Sequence, residues 1–344
     1  MVTGFWKNLP KPIYCLAPMA NVTDAAFRFI IAKYSKYGGM DIGDGSKANL
    51  PAEAFRVGGP DIMWTEFVSC DGLCSPGKDA LMVDLAYTES ERPIVTQIFG
   101  SKPDNFYKTA LLCQELGFDG IDINMGCPDK NVEKQCAGAA MIKNPKLAQE
   151  CIRATQKGAG NLPISVKTRT GYSKNQLDEW LPYLLETNLS AITIHARTRK
   201  EMSLVPAHWE NIAQAVKLRD NFDSSPAKTL ILGNGDVKDL TDAEEKIRQT
   251  GADGIMIGRG IFGNPWLFAR HSPSTEEKLK VMVEHTYLFE KLLGKEKSFD
   301  IMKKHYKAYV NGFDGAKELR VKLMATKTAN EVENLVNEHL LVPT

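Results

Sequence analysis

The segment "TLILGNGDVKDLTDAEEKIRQTGADGIMIGRG" (Thr229 to Gly260) contains two short apolar runs on either side of a polar stretch. The runs "TLILGNG" and "GIMIGRG" are bounded by turn residues, a pattern typical of buried strands. The stretch "DAEEKIRQTG" between them has the composition of an amphipathic helix, and it ends at Gly251 because glycine commonly terminates helices. The segment therefore predicts a strand, a helix and a second strand.

The same pattern recurs over the first 260 residues. The six further strand-like runs are residues 13–18, 61–67, 93–100, 120–126, 163–171 and 191–198. Eight strands alternating with helices predict an α/β fold of the (β/α)8 TIM-barrel type. The alternative is a doubly wound sheet, which usually shows a glycine-rich turn after its first strand, where this chain has Pro18-Met19-Ala20.

The pattern changes to helices alone in the last 70 or so residues. Apolar side chains keep helical spacing at Leu279, Met282, Val283, Thr286, Phe289 and Leu293. Two further helical segments follow, so three helices are expected. We predict a catalytic barrel at residues 1–272 and a small helical-bundle domain at residues 273–344.

Composition excludes several classes of protein. The 344 residues carry a net charge of +1, so a nucleic-acid surface would have to be a local patch. Neither a membrane span nor a signal-peptide core is recognisable, and we expect a cytoplasmic protein. The seven cysteines lack C-x-x-C spacing and the histidines are scattered, so neither a disulfide framework nor a metal site is expected.

The carboxyl ends of barrel strands face the active site in this fold class. All eight predicted ends are polar, cationic or glycine-containing, although the strand bodies are apolar. The ends are Pro18-Met19-Ala20, Glu66, Gln97, Asn124 with Cys127, Lys167 with Arg169, His195 with Arg197, Asn234-Gly235-Asp236, and Gly258-Arg259. Such a set at every strand end indicates a functional barrel mouth.

The glycines after the seventh and eighth strands predict a phosphate cradle, the usual use of these turns in a barrel. Arg259 can add a charge-assisted bond to the phosphate. The alternative for each turn is a tight turn without a ligand.

Lys167 lies within the fifth strand, on the same side as Ser165 and Arg169. A lysine inside a barrel is costly unless it meets an anion. A flavin fits, because its reduction places negative charge on the N1–C2=O edge of the ring. Gln97 and Asn234 suit hydrogen bonds to the rest of the ring and the ribityl chain, whereas His195 is either a flavin ligand or a core histidine.

Cys127 lies between Gly126 and Pro128, at the start of a long polar loop. A thiol there is a nucleophile, a general acid or an inert core residue. The loop at residues 127–144 has no histidine to activate a nucleophile. Near its reference pKa of about 8.5, a thiol stays protonated at neutral pH and can donate a proton. A general acid is therefore favoured.

One region between residues 301 and 322 is locally basic. Six cations, Lys303, Lys304, Lys307, Lys317, Arg320 and Lys322, stand against Asp314 and Glu318, with Tyr306 and Tyr309 between them. Cations with interleaved aromatic side chains can follow a phosphate backbone and stack bases. The alternative is a solvated helix face.

The motifs quoted next resemble those of the tRNA-dihydrouridine synthases over almost the whole chain. They are "LAPMANVTDAAFR", "WTEFVSCDGL", "TQIFG", "INMGCPDKNVEKQCAGAAM", "SVKTRTGY", "TIHARTR", "LGNGDV", "GRGIFGNPW" and "HYKAYVNGFDGAKELRVKLM". The resemblance implies an FMN-bound barrel that reduces the C5=C6 bond of uridine in tRNA with NADPH. It also implies hydride transfer from FMN to C6 and proton transfer from Cys127 to C5.

The resemblance further assigns residues and partners. The implied FMN set is Pro18, Met19, Ala20, Gln97, Lys167, His195, Asn234, Gly235, Asp236, Gly258 and Arg259, and the implied uridine and RNA set is Asn124, Arg169, Arg197 and Arg199. Lys303, Lys304 and Lys307 of the basic region are also predicted to bind the RNA, which makes the helical domain at residues 273–344 the predicted tRNA-binding domain. Expected partners are tRNA and NADPH, without a metal or a membrane, and the expected state is a monomer.

Two other functions remain open. One is a flavin-dependent reductase of a free pyrimidine or another small enone, although such a substrate needs no basic second domain. The other is a non-catalytic RNA-binding protein that keeps the flavin barrel as a scaffold, although the complete set of strand-end groups argues against it.

Overall fold

A computed structural model describes residues 3–50, 56–223 and 228–341. Eight strands lie at the positions that the sequence predicts, and all of their pairings are parallel. They are β1 (Ile13–Leu16), β2 (Met63–Ser69), β3 (Ile94–Phe99), β4 (Gly120–Met125), β5 (Ile164–Arg169), β6 (Ala191–His195), β7 (Leu230–Asn234) and β8 (Gly254–Ile257).

The sheet closes on itself. Its hydrogen-bonded order is β1-β8-β7-β6-β5-β4-β3-β2, so β1 and β2 stand at the two ends. These ends meet in a parallel bridge between Cys15 and Ile62. The Leu16 N–H donates to Ile62 O at 3.1 Å and the Asp61 N–H donates to Tyr14 O at 2.7 Å. The predicted (β/α)8 barrel is confirmed, and the doubly wound alternative is excluded.

Apolar packing fills one part of the barrel. Trp6, from a short 3-10 helix at Gly4–Asn8, packs with Trp64 of β2 at a ring-centroid distance of 6.3 Å. Both indoles are buried in a cluster with Cys15, Val95 and other strand residues. Apolar residues thus occupy this part of the interior, whereas Arg169, His195 and Asn234 are the last residues of their strands.

The helices begin and end close to their sequence signals. They are α1 (Ala25–Ile31), α2 (Cys70–Leu73), α3 (Lys78–Leu81), α4 (Pro103–Glu115), α5 (Lys130–Glu133), α6 (Pro145–Ala159), α7 (Leu177–Leu185), α8 (Glu210–Phe222), α9 (Leu240–Thr250), α10 (Thr275–Leu293), α11 (Ile301–Tyr309), α12 (Ala316–Leu323) and α13 (Ala329–Leu341). The predicted end of α9 is confirmed, because Gly251 takes φ +70° as its C-cap. No helix in the described part of the chain combines the length and apolar character that a membrane span needs.

The backbone divides into two compact units. The first is Met1–Met19, Asp61–Leu85 and Arg92–Gly258, and it contains the barrel strands. The second is Ala20–Pro60, Ala86–Glu91 and Arg259–Thr344, and it contains α1 and the C-terminal helices. The boundary between residues 272 and 273 stays a prediction of domain organisation.

The C-terminal helices differ in number from the prediction. Three were expected, and four lie within the described residues after Ser274. The segment predicted as one helix is interrupted before α13. There the Thr328 hydroxyl accepts the Glu331 N–H at 3.3 Å, and the Glu331 carboxylate accepts the Lys327 N–H at 2.7 Å. The Thr328 hydroxyl thereby caps the first turn of a new helix, and the Glu331 carboxylate holds the residue before the cap.

A buried ion pair lies within the second unit. Arg28 of α1 and Glu91 are both fully buried, with Arg28 Nε donating to Glu91 Oε2 at 2.5 Å. The guanidinium also donates to the carbonyls of Thr23 and Ala86, at 2.6 and 2.5 Å. The other carboxylate oxygen accepts the Thr88 N–H at 2.8 Å. The pair thereby ties residues 86–91 to α1.

Glu91→Gln should destabilise the protein by about 3–5 kcal/mol, because it leaves the Arg28 cation buried without its counter-charge. Urea unfolding measures the change. Glu245→Gln is the matched control, since the Glu245–Arg248 pair is exposed, and it should leave the unfolding midpoint unchanged. Equal midpoints for the two variants would contradict a structural role for the buried pair.

Candidate active site

Strand register brings the predicted residues of the barrel rim to matching levels. Asn124 of β4 stands opposite Lys167 of β5. One level further along, Arg169, His195 and Asn234 are successive partners across β5, β6 and β7. These residues are separated by tens of positions in the sequence, and they become neighbours because the strands are parallel and in register.

Lys167 places a cation in the barrel interior. Its side chain is partly accessible, and Nζ donates to Asn234 Oδ1 at 3.2 Å. Asn234 in turn donates from Nδ2 to Met256 O of β8 at 2.8 Å. Burial and the nearby Arg169 charge lower the pKa of Lys167 to about 8, against the opposing effect of Asp122. The lysine is therefore a hydrogen-bond donor, held in place by β7, that can meet an anion or a carbonyl oxygen.

A buried network joins β3, β4 and β5 next to Lys167. Gln97 Nε2 donates to Asp122 Oδ2 at 2.7 Å, and the Ser165 hydroxyl donates to Asp122 Oδ1 at 2.5 Å. Asn124 Nδ2 donates to Gln97 Oε1 at 2.9 Å. Roles for Gln97 and Asn124 were predicted from the sequence, whereas Asp122 was not identified. The signal was present, because Asp122 interrupts an apolar strand two residues before Asn124 and so shares its face.

Cys127 lies at a tight turn after β4, and it is half-buried. Asn124 Oδ1 accepts the N–H groups of Gly126 and Cys127, at 3.1 and 2.9 Å. The Cys127 carbonyl accepts the Ala139 N–H at 2.9 Å. A Cβ at Gly138 would lie 2.7 Å from that carbonyl oxygen, so a side chain there would push the loop away. The thiol is therefore held by contacts at both ends of its loop.

The pKa of the Cys127 thiol is raised above its ordinary value. Burial is the largest cause, and the Asp129 carboxylate acts in the same direction. A hydrogen bond to the Asp129 backbone and the charges of Arg169 and Lys167 oppose the shift. The thiol is thus protonated at neutral pH, which suits a proton donor and not a nucleophile.

Arg169 and Arg197, predicted to contact the RNA, are nearly fully buried. Arg169 donates to the carbonyls of Gly126, Thr198 and Met202, at 2.7, 3.1 and 3.0 Å. Arg197 donates to Val205 O at 2.6 Å and pairs with Asp236. It also lies 3.2 Å from His195 Nε2. Both guanidinium groups brace the loops of the rim, and their assignment to the RNA stays a prediction.

Arg199 holds the loop that contains Cys127. Its guanidinium pairs with Glu133 of α5, with Nε 2.8 Å from Oε1, and it stacks over Tyr172 at 5.6 Å from the ring centroid. Lys143, at the other end of the loop, lies over the same ring at 4.0 Å. Glu133 and Tyr172 were not identified from the sequence, because their partners are distant along the chain.

The two glycine turns predicted to bind a phosphate, at Gly235 after β7 and at Gly258 after β8, have different neighbours. Gly235 takes φ +130°, and a Cβ there would lie 3.0 Å from Ala207 Cβ and 3.2 Å from His195 Cδ2, so only glycine fits. Asp236 accepts from Arg197 and from the Ala207 N–H. Gly258 lies near Met19 of the first strand end. Pro18 precedes Met19, whereas Ala20 and Arg259 fall in the second compact unit.

The basic region of the second unit is only partly exposed. Lys304 and Lys307 are exposed, and Lys304 donates to Asn21 O at 2.8 Å. Lys303 pairs with Asp300 at 2.5 Å. Tyr306 and Tyr309 are buried, so the prediction that they stack on bases is wrong. They occupy the core face of α11, as their spacing relative to Met302 allows.

No cluster of three or more His, Cys, Asp or Glu side chains suited to a metal ion occurs among the residues described.

Alkylation by iodoacetamide should be slower at Cys127 than at the exposed Cys74 and Cys136. The thiolate fraction falls about tenfold for each unit by which the thiol pKa exceeds its ordinary value. Peptide mass spectrometry measures the alkylation rate of each thiol across pH 7–10. A raised pKa moves the midpoint of the rate against pH upward, whereas shielding lowers the rate without moving that midpoint. A Cys127 midpoint below those of the two exposed thiols would contradict the proton-donor assignment.

The family model described as "Dihydrouridine synthase (Dus)" matches residues 15–343. The chain is 40% identical over 343 residues to a "Probable tRNA-dihydrouridine synthase 2" of Bacillus subtilis (strain 168), covering 98% of this chain and 97% of that protein. It is 39% identical over 343 residues to a "Probable tRNA-dihydrouridine synthase" of Staphylococcus aureus (strain COL), covering 98% and 96%. A solved morphinone reductase has 12% identity and a TM-score of 0.48, covering 76% of this chain and 86% of that one. On the evidence of the family model and the sequence relatives, the chain belongs to the dihydrouridine synthase family.

Proposed function

We propose that the protein is a tRNA-dihydrouridine synthase that uses FMN and NADPH to reduce the C5=C6 bond of uridine in tRNA. The observation that carries the proposal is the placement of Cys127, a half-buried thiol whose N–H is held by Asn124 at the barrel mouth and on which the charges of Lys167 and Arg169 act. Its relatives at about 40% identity carry the name of this activity, which supports the proposal.

The donor groups of the barrel mouth fit FMN. Lys167 would offer a cation to a bound flavin, whose ring becomes negative at one edge on reduction, and the hydrogen bond from Lys167 to Asn234 limits the motion of the lysine. Gly235, beside His195, takes φ +130°, a backbone conformation that favours glycine in the turn after β7. The residues proposed to hold FMN are Pro18, Met19, Ala20, Gln97, Lys167, His195, Asn234, Gly235, Asp236, Gly258 and Arg259.

Cys127 is proposed as the general acid. FMN, when bound, supplies the hydride that C6 of the uracil ring accepts. Cys127 holds a proton on Sγ and delivers it to C5, which completes the saturation of the double bond. The raised thiol pKa suits this role, since the proton is present before the substrate arrives. Arg169 contributes by holding the Gly126 carbonyl, one residue before the acid.

We further propose that Asn124, Arg169, Arg197 and Arg199 surround the target uridine and its RNA backbone. Arg199 keeps part of its side chain accessible while it pairs with Glu133. Lys303, Lys304 and Lys307 would add phosphate contacts from α11, where two of the three are exposed. A monomeric state and a cytoplasmic location stay predictions.

One experiment separates this proposal from the two alternatives. The purified protein should contain FMN, and it should oxidise NADPH faster when unmodified tRNA is added, with dihydrouridine formed in the RNA. Stimulation by free uracil and not by tRNA would favour a small-molecule reductase. RNA binding without any flavin would favour a non-catalytic protein.

Cys127→Ala should separate the two halves of the reaction. Reduction of the flavin by NADPH requires no thiol and should continue. Reoxidation by tRNA should slow by about 10² to 10⁴, the usual worth of a positioned general acid. Stopped-flow absorbance at the flavin band measures both rates.

Cys136→Ala is the control for this variant, because Cys136 lies in the same loop and is exposed. It should retain both rates. If Cys136→Ala abolished reoxidation by tRNA while Cys127→Ala did not, the wrong thiol would have been assigned.

Replacing Lys303, Lys304 and Lys307 together by Gln should weaken tRNA binding and flatten its dependence on salt. The slope of log K against log salt should fall by up to about one unit for each lost phosphate contact. The contribution of Lys303 should be the smallest, since Asp300 already neutralises it. Binding titrations between 50 and 200 mM salt, roughly the range over which such contacts weaken, measure the slope.

The matched control replaces three exposed lysines of the outer barrel helices, Lys108, Lys146 and Lys217, by Gln. This triple variant should bind tRNA with an unchanged slope. Equal slopes for the two triple variants would show that α11 is a solvated helix face and does not contact the tRNA.

A further inference from the structure

The buried network between β3, β4 and β5 ends at the turn that holds Cys127. It runs from the Ser165 hydroxyl to the Asp122 carboxylate, from there to the Gln97 amide, and on to the Asn124 amide. All four side chains are buried, with exposed fractions between 0 and 6%. Asn124 then accepts the N–H groups of Gly126 and Cys127.

We propose that Asp122 is a positioning residue that acts through Gln97 and Asn124 on the backbone of Cys127. Asp122 lies two residues before Asn124 on β4 and has no contact with the thiol turn itself among the interactions described. The effect of Asp122 on catalysis rests on the proposed function, whereas the effect of Asp122 on the backbone of the turn does not.

The two ends of the network set the direction of every hydrogen bond in it. The backbone N–H groups at the turn can only donate, so Asn124 must present Oδ1 to them and Nδ2 to Gln97. An ionised Asp122 can only accept, so Gln97 must present Nε2 to it and Oε1 to Asn124. The two requirements agree at the Gln97–Asn124 bond, where a donor meets an acceptor at 2.9 Å.

Two donors, the Gln97 amide and the Ser165 hydroxyl, converge on the Asp122 carboxylate, as suits an ionised acceptor. Burial raises the pKa of its carboxyl to about 6, while the hydrogen bonds from Ser165 and Gln97 and the Lys167 charge hold it from rising further. The carboxylate therefore remains an acceptor at pH 7.5. Without it, Gln97 could rotate its amide, and Asn124 would lose the acceptor that fixes its Nδ2.

Four variants test the direction of the network. Asp122→Ala removes the acceptor, and a water molecule in its place can donate as readily as accept. Asp122→Asn should resemble the wild type, because the new amide can accept from Gln97 and donate to the Ser165 hydroxyl. Adding Ser165→Ala to Asp122→Asn should undo this rescue, because the new Nδ2 then has no acceptor. Ser165→Ala alone should have little effect.

The primary measurement is hydrogen exchange at the Gly126 and Cys127 amides in the full-length protein, without tRNA. Exchange at the two amides should accelerate on the order of tenfold in Asp122→Ala and in Asp122→Asn/Ser165→Ala, as expected for one weakened hydrogen bond. The tRNA-dependent reoxidation rate should fall in the same two variants and persist in Asp122→Asn.

Asp119→Ala is the matched control, since Asp119 directly precedes the same strand. Its carboxylate accepts the Ile94 N–H at 2.7 Å and pairs with Arg92 at 2.8 Å. Neither contact belongs to the network that ends at Cys127. It should lower the unfolding temperature without selectively accelerating exchange at the two amides.

Three results would overturn the proposal: Asp122→Asn as damaging as Asp122→Ala, no coupling between Asp122→Asn and Ser165→Ala, or the same local exchange pattern in Asp119→Ala. The expected exchange pattern in a protein without tRNA-dependent activity would refute the proposed function and leave the positioning role intact.

Discussion

Closure of the sheet between β1 and β2 is the constraint on which the rest of the site depends. The bridge from Cys15 to Ile62 turns a sheet into a ring, so that the strands share one direction and one rim. Residues at equal register then face one another across strands, as Arg169, His195 and Asn234 do. Without closure, the polar strand ends would lie along an open edge instead of around a common mouth.

The charge of the mouth follows from this geometry. Lys167, Arg169, Arg197 and Arg199 come from β5 and from the loop after β6, and each has acceptors that limit its motion. Asp236 and Glu133 pair with two of the arginines. The remaining cationic character favours an anionic ligand, and it acts against the raised pKa of Cys127 without reversing it.

Much of the fold could be predicted from local sequence patterns. The eight apolar runs became eight strands, and Gly251 ended α9, because strand burial and helix termination depend on residues close together in the chain. The C-terminal region was predicted less well. An N-cap at Thr328 divided one expected helix into two, and Tyr306 and Tyr309 proved to be core residues of α11.

By itself, the sequence determined which residue types stand at the strand ends, and so the chemistry available at the mouth: a thiol, amides, cations and glycines. Only the tertiary structure decided which of these groups form hydrogen bonds to other parts of the protein. Arg169 and Arg197 turn into the loops of the rim, and Asp122 joins Gln97 and Asn124 behind Cys127. The physical reason is that hydrogen bonds and burial depend on neighbours from other strands, and the closed register of the barrel supplies those neighbours.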